Sequence, residues 1–169
     1  EIAAGRGYQL PILSNGWAFP YILAVGPTLI LPVVLFIKVF GFSVGVARIS
    51  MILYMILATI TLYLLSKEIN NRSTARWSAL LLVTLSAFVN TGKAVLGEVP
   101  AIFWLFLGLL LLIKRKISWK RDIIIGICFG LSVVTKLTMG LIYPAIGIAW
   151  IVTIISKKYK ELKIKIFTG

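Results

Sequence analysis

The chain has 169 residues, 60 % of them hydrophobic, a mean hydropathy of +1.01 and a formal net charge of +13. That is more apolar than a soluble domain of this size needs for its core. The basic residues interrupt apolar runs instead of lining a polar face among aromatics, which argues against nucleic acid and for anionic lipid head groups as the counter-charge. Histidine is absent, which excludes His metal ligation and His general-base catalysis, and the one cysteine, Cys128, allows no disulfide framework and no thiol metal site.

Residues 1–18 are polar and rich in turn formers (Gly5, Gly7, Pro11, Asn15, Gly16) and read as a loop. Phe19 to Phe40 is apolar but broken by Pro20, Gly26, Pro27 and Pro32. Pro27 suits the first turn of a helix over 27–40, and Pro32 would kink it. Such a helix is about 21 Å long, short of the ~30 Å hydrocarbon core, so it is expected to lie in the outer interface. Lys38 would then snorkel to the head groups.

Three basic loops follow, each after an apolar run: 67–76, 114–121 and 157–165. Together they hold 13 of the 18 Lys and Arg residues. Basic residues concentrate in short cytoplasmic loops, so these loops set the orientation. The expected fold is all-α and polytopic, with the interfacial helix and five transmembrane helices near 49–66, 77–93, 99–114, 122–136 and 139–156. The last two come from the run 123–156, which holds Lys136 as its one charge and turns near Thr135–Gly140. Trp77 and Trp119 stand at cytoplasmic starts of spans, while Trp104 and Trp150 lie within them. The glycine pair Gly126 and Gly130 is spaced for close helix packing, and Gly41 and Gly45 share that spacing.

This orientation puts four isolated charges, Arg48, Lys93, Glu98 and Lys136, at the outer ends of the spans. A carboxylate at a bilayer edge must be hydrated, paired or turned to an aqueous cavity, which makes Glu98 a functional candidate. The same residue, two before Pro100, would also favour the dipole of the following helix. Lys93 can pair with it in either reading. Lys136 is either a snorkelling lysine or a cation that meets a phosphate as a point charge. Arg48 is either an interfacial anchor or a ligand contact. Tyr143 and Pro144 stand near the last outer turn, where they can line a cavity.

The order GPTLILPVVLFIKVFG, ARIS, LGEVPA and GLSVVTK resembles the GT-C membrane glycosyltransferases, over roughly residues 5–156. The nearest group is that of the protein O-mannosyltransferases and aminoarabinose transferases, which use polyprenyl-phosphate sugars as donors. The resemblance implies a partial GT-C transmembrane domain over 1–169. Within it, 1–26 ends the first extracytoplasmic loop, 27–40 is the interfacial helix, 49–156 holds the spans and 157–169 is cytoplasmic. It further implies an inverting transfer to an acceptor hydroxyl on lipid, protein or glycan at the extracytoplasmic face of the cell membrane. Glu98 takes the place of the family's second acidic residue, in a catalytic or orienting role. Lys136 matches a recurrent Thr-Lys at a donor phosphate, with Arg48, Lys93 and Tyr143 as further substrate contacts.

Two departures stand out. Val25-Gly26-Pro27-Thr28 replaces a Lys-Pro-Pro-Leu segment, so a phosphate-binding lysine is missing there. Asp122, in a cytoplasmic loop, is the one Asp of the chain, so the family's catalytic Asp is expected upstream of residue 1. No cofactor is implied, and a divalent metal is left open. The alternative reading is a transporter or lipid flippase, which would place charges at mid-span and repeat internally; neither feature is present. A non-catalytic membrane subunit is the third class, in which Glu98 and Lys136 would be incidental.

The orientation is testable by cysteine labelling. Membrane-impermeant reagents added outside should modify cysteines placed in 1–18 and 91–98 but none in 114–121, and labelling of the last segment would reverse the topology.

Overall fold

The computed structural model describes residues 26–114, 119–148 and 151–152. The loop 1–18, most of the basic loops 114–121 and 157–165, Trp150 and the end of the last expected span lie outside the described residues. The chain divides into two units, residues 1–137 and 138–169. All regular secondary structure among the described residues is helical.

In the first unit, α1 spans Pro27–Phe40, with the bounds read from the sequence. Pro27 sits at its first turn, where a missing N–H leaves no bond unmade. Gly41 ends it at φ 85°, a left-handed backbone that lets its N–H return to the carbonyl of Ile37 at 2.9 Å. Helix α2, Val44–Ile69, is capped by the Ser43 hydroxyl, which accepts from Val46 N–H at 3.1 Å. Its 26 residues reach about 39 Å, more than a hydrocarbon core. Met51, Ala58 and Leu65 recur at seven-residue spacing along its buried stripe, while Ile52, Leu53, Ile56 and Ile60 are exposed. An exposed apolar face of this length suits lipid as its solvent.

The expected span 77–93 is corrected. The structure breaks it at Leu85 into α3, Arg72–Thr84, and α4, Ser86–Lys93. Thr84 Oγ1 donates to the carbonyl of Leu80 at 2.9 Å, and the extended Leu85 (ψ 112°) turns its own N–H back to Leu81 and Leu82. The next helix, α5, is Glu98–Ile113, and α4 and α5 meet at a bend of 118°. Helix α6 covers Trp119–Thr135. Among the described residues α2 alone is long and apolar enough to cross a membrane, and the bent pair α4–α5 passes the same test when taken together.

Helix α5 is the centre of this unit. It packs against α2 on one side and α6 on the other, and Val99, Ala101, Phe103, Leu105 and Leu110 are buried along it. Small residues set the approach of its neighbours. Gly108 lies under the ring of Phe129, which a Cβ there would meet at 2.6 Å. The expected close packing at Gly126 and Gly130 is not found, because a Cβ on either would meet nothing within 4 Å. The buried stripe of α6 is instead Ile125, Cys128, Ser132 and Thr135, and both glycines fall off it.

In the second unit, the apolar helical segment that begins in the 3₁₀ turn Leu137–Leu141 runs to Ile148. The turn falls where the run 123–156 was expected to reverse.

Two glycines separate rigid from yielding contacts. A Cβ at Gly92 would meet the Met55 sulfur at 2.3 Å, but a thioether side chain can swing away and Ala favours the helix. A Cβ at Gly26 would meet the carbonyl oxygen of Val134 at 1.9 Å, and a backbone cannot swing. Gly92→Ala should therefore change stability by less than about 1 kcal/mol, whereas Gly26→Ala should cost about 1–3 kcal/mol, read by thermal unfolding in detergent. Equal effects would refute this reading.

Candidate functional site at the ends of α5 and α6

The turn between α4 and α5 holds two of the isolated charges. It contains Val95 at φ 56°, a left-handed conformation that a β-branched residue adopts only at a cost. The turn sends Lys93 outward at the end of α4 and sets Glu98 in the first turn of α5. There the carboxylate lies at the positive end of the helix dipole. Gly97, the N-cap, brings no side-chain bond, and Pro100 fits the first turn without one.

Lys136 follows the last residue of α6. Its Nζ lies 2.9 Å from Glu98 Oε1, with the two side chains 26 % and 29 % exposed. This pairing brings together two residues 38 positions apart in sequence. Lys93 does not share the carboxylate. Its carbonyl accepts from Arg48 Nε at 3.2 Å, which ties the start of α2 to the α4–α5 turn. Glu98 Oε2 is buried and has no hydrogen-bond partner. An unpaired buried oxygen of an ionised group costs more than the ~1–3 kcal/mol of a neutral one, so the arrangement is incomplete as it stands. Tyr143 belongs to the second unit, where it is half-buried.

Two apolar cavities of about 380 Å³ each lie elsewhere in the first unit, and neither is lined by Glu98 or Lys136. One sits beside α2, α3 and α4, around Met55 and Phe88. The other runs between α1, α2 and α5, around Phe36, Tyr54, Phe103 and Trp104.

Sequence reasoning missed the polar seam beside the ion pair. Gly26 N–H donates to the carbonyl of Thr135 at 3.0 Å. Tyr54 Oη donates to the carbonyl of Thr28 at 2.6 Å, and the hydroxyls of Thr28 and Thr135 meet. Ser132 Oγ donates to the carbonyl of Ala101 at 2.9 Å, one turn along α5 from Glu98. The signal was present as Ser132 and Thr135 three apart in an apolar helix. It was hidden because a hydroxyl there can as readily bond its own helix.

Residues 25–168 match the family described as dolichyl-phosphate-mannose-protein mannosyltransferase. The chain belongs to that family. No curated protein and no solved structure matches it. The match covers every described element and both members of the Glu98–Lys136 pair. A mannosyltransferase family makes the chain part of a membrane glycosyltransferase, in accord with the resemblance read from its motifs. Among the described residues no three carboxylate or thiol side chains gather as a metal site.

The pair is partly exposed, so its direct contribution to folding is small. A double-mutant cycle of Glu98→Gln and Lys136→Met on unfolding should give a coupling below about 1 kcal/mol. A coupling above about 3 kcal/mol would mark the pair as a structural brace instead.

Proposed function

We propose that the chain carries part of the donor site of an inverting glycosyltransferase at the extracytoplasmic membrane face, using a polyprenyl-phosphate sugar. The observation that supports it is the Glu98–Lys136 pair with Glu98 Oε2 unpartnered. The ammonium has three N–H donors and spends one on Glu98, leaving two for a phosphate oxygen. The orphaned Oε2 is an acceptor in need of a donor, and a sugar or acceptor hydroxyl supplies one. Arg48 and Lys93 add positive charge at the same ends of the helices.

In the reaction, the acceptor oxygen attacks the anomeric carbon as the bond from that carbon to the phosphate oxygen breaks. The electron pair of the broken bond leaves with the polyprenyl phosphate. The acceptor proton passes to a carboxylate base, which the resemblance places ahead of residue 1. Negative charge grows on the leaving phosphate, so a cation already held in place binds the transition state better than the ground state. Glu98 keeps the ammonium there before the donor arrives. The apolar cavity of α1, α2 and α5 suits the first isoprene units of the lipid. In the membrane, α2, the broken α3–α4, α5, α6 and the segment beyond Leu137 make up the five spans, with α1 in the interface.

Lys136→Met keeps the side-chain length and removes the charge. With dolichyl-phosphate mannose as donor, it should slow transfer by roughly 10- to 150-fold, the equivalent of a charge-assisted contact of ~1.5–3 kcal/mol. Lys136→Arg should restore only part, since a planar fork replaces a compact ammonium. Wild-type rates in Lys136→Met would sink the donor-site reading.

A further inference from the structure

The peptide group that joins Thr135 to Lys136 is held at both ends. Its carbonyl, on Thr135, accepts from Gly26 N–H at 3.0 Å, and its N–H, on Lys136, donates to the carbonyl of Ser132 at 3.2 Å. Ser132 in turn reaches α5 through Ala101. Thr135 Oγ1 donates to the carbonyl of Leu131, so in its contact with Thr28 it is the acceptor and Thr28 Oγ1 the donor. Thr28 is itself held by Tyr54 of α2 through its carbonyl. The start of α1 and the last turn of α6 thus bond this peptide directly, and α2 and α5 are linked to it through Thr28 and Ser132. Thr135 and Ser132 are fully buried, and Gly26 fits only because it lacks a Cβ. Helix α6 ends here, beyond the last regular turn, and a chain leaving a helix end is otherwise free to rotate.

From this we infer that Gly26, Thr28 and Thr135 are positioning residues for Lys136: a clasp from the start of α1 that sets the direction in which the lysine leaves α6. The inference rests on Lys136 meeting the donor phosphate. The clasp takes no part in chemistry and touches no substrate. It fixes the Cα of Lys136, and through it the reach of the ammonium to Glu98 and to a phosphate beside it. The Val-Gly-Pro-Thr segment, which lacks the lysine of the related Lys-Pro-Pro-Leu segment, therefore contributes through backbone and hydroxyl contacts to a cation supplied by another helix.

The test uses the membrane-embedded enzyme in lipid nanodiscs, with a short-chain polyprenyl phosphate as probe and the matching polyprenol as control. Thr135→Val keeps shape and removes the hydroxyl; it should weaken polyprenyl phosphate roughly 3- to 10-fold and leave polyprenol binding unchanged. Thr135→Ser should restore the affinity. Thr28→Val removes the same contact from α1, where the side chain is half-buried, and should match Thr135→Val even if that variant folds poorly. In a Lys136→Met background either valine variant should add less than twofold, because the cation it positions is gone. Full additivity with Lys136→Met, or equal losses for phosphate and alcohol, would overturn the clasp while leaving the donor-site reading intact. Unchanged affinity in Lys136→Met alone would overturn the donor-site reading, and the clasp with it.

Discussion

The first unit depends on the contact between Gly26 and the end of α6. The backbone of Gly26 lies so close to Val134 and Thr135 that no side chain fits, and its N–H closes a 3.0 Å bond to Thr135. Removing this contact would free two helix ends at once. The N-terminus of α1 would lose its register on the bundle, and α6 would lose the partner of its last carbonyl. Both ends lie at the side of the unit where the isolated charges collect, so packing and site share one constraint. Pro27 follows at once and commits the chain to helix, which turns a single close approach into the entry angle of α1.

A second constraint is the treatment of polar groups in an apolar bundle. Thr59 and Thr61 return their hydroxyls to the carbonyls of Met55 and Leu57, four residues back, which satisfies them without a partner helix. Ser132 and Tyr54 instead bond between helices, and Thr135 bonds its own helix while also accepting from Thr28. Between helices a hydroxyl adds specificity to apolar contacts that slide easily. Glu98 departs from both patterns. One carboxylate oxygen is paired and the other is buried unpaired, next to a strained turn at Val95. Strain and an orphaned acceptor within four residues mark the place where the fold gives up stability, and such places are commonly functional.

In the proposed donor-site reading these features share one purpose. A lipid-phosphate donor presents an apolar tail, a phosphate and a sugar in a fixed order. The unit presents an apolar cavity, a cation and a carboxylate on neighbouring helices. Its first helix is shorter than a hydrocarbon core is thick and carries Lys38 in its last turn. The basic residues gather at the other ends of the helices. There Arg121 Nη1 reaches the carbonyl of Lys114 and draws the start of α6 to the end of α5.

What the sequence determined by itself was local. Prolines and apolar runs placed α1 at its observed bounds and α5 and α6 near theirs, because helix ends depend on residues within one turn. Helix α2, by contrast, starts at Val44 and ends at Ile69, beyond both ends of the expected 49–66. The basic loops and the four isolated charges were likewise visible, since charge clustering is a property of the chain. Only the tertiary structure decided the partners. Lys93 was the partner that the sequence offered for Glu98, and the packing of α5 on α6 brought Lys136 there instead. The glycine pair in α6 looked like a packing motif, but the face that α6 turns to α5 carries Ser132 and Thr135 instead. The break at Leu85, where the backbone turns extended, interrupts an apolar run that gave no sign of it. Periodicity records which residues share a face, whereas the rotation and rise between two helices depend on every contact along both, and those distances are set only when the chain is packed.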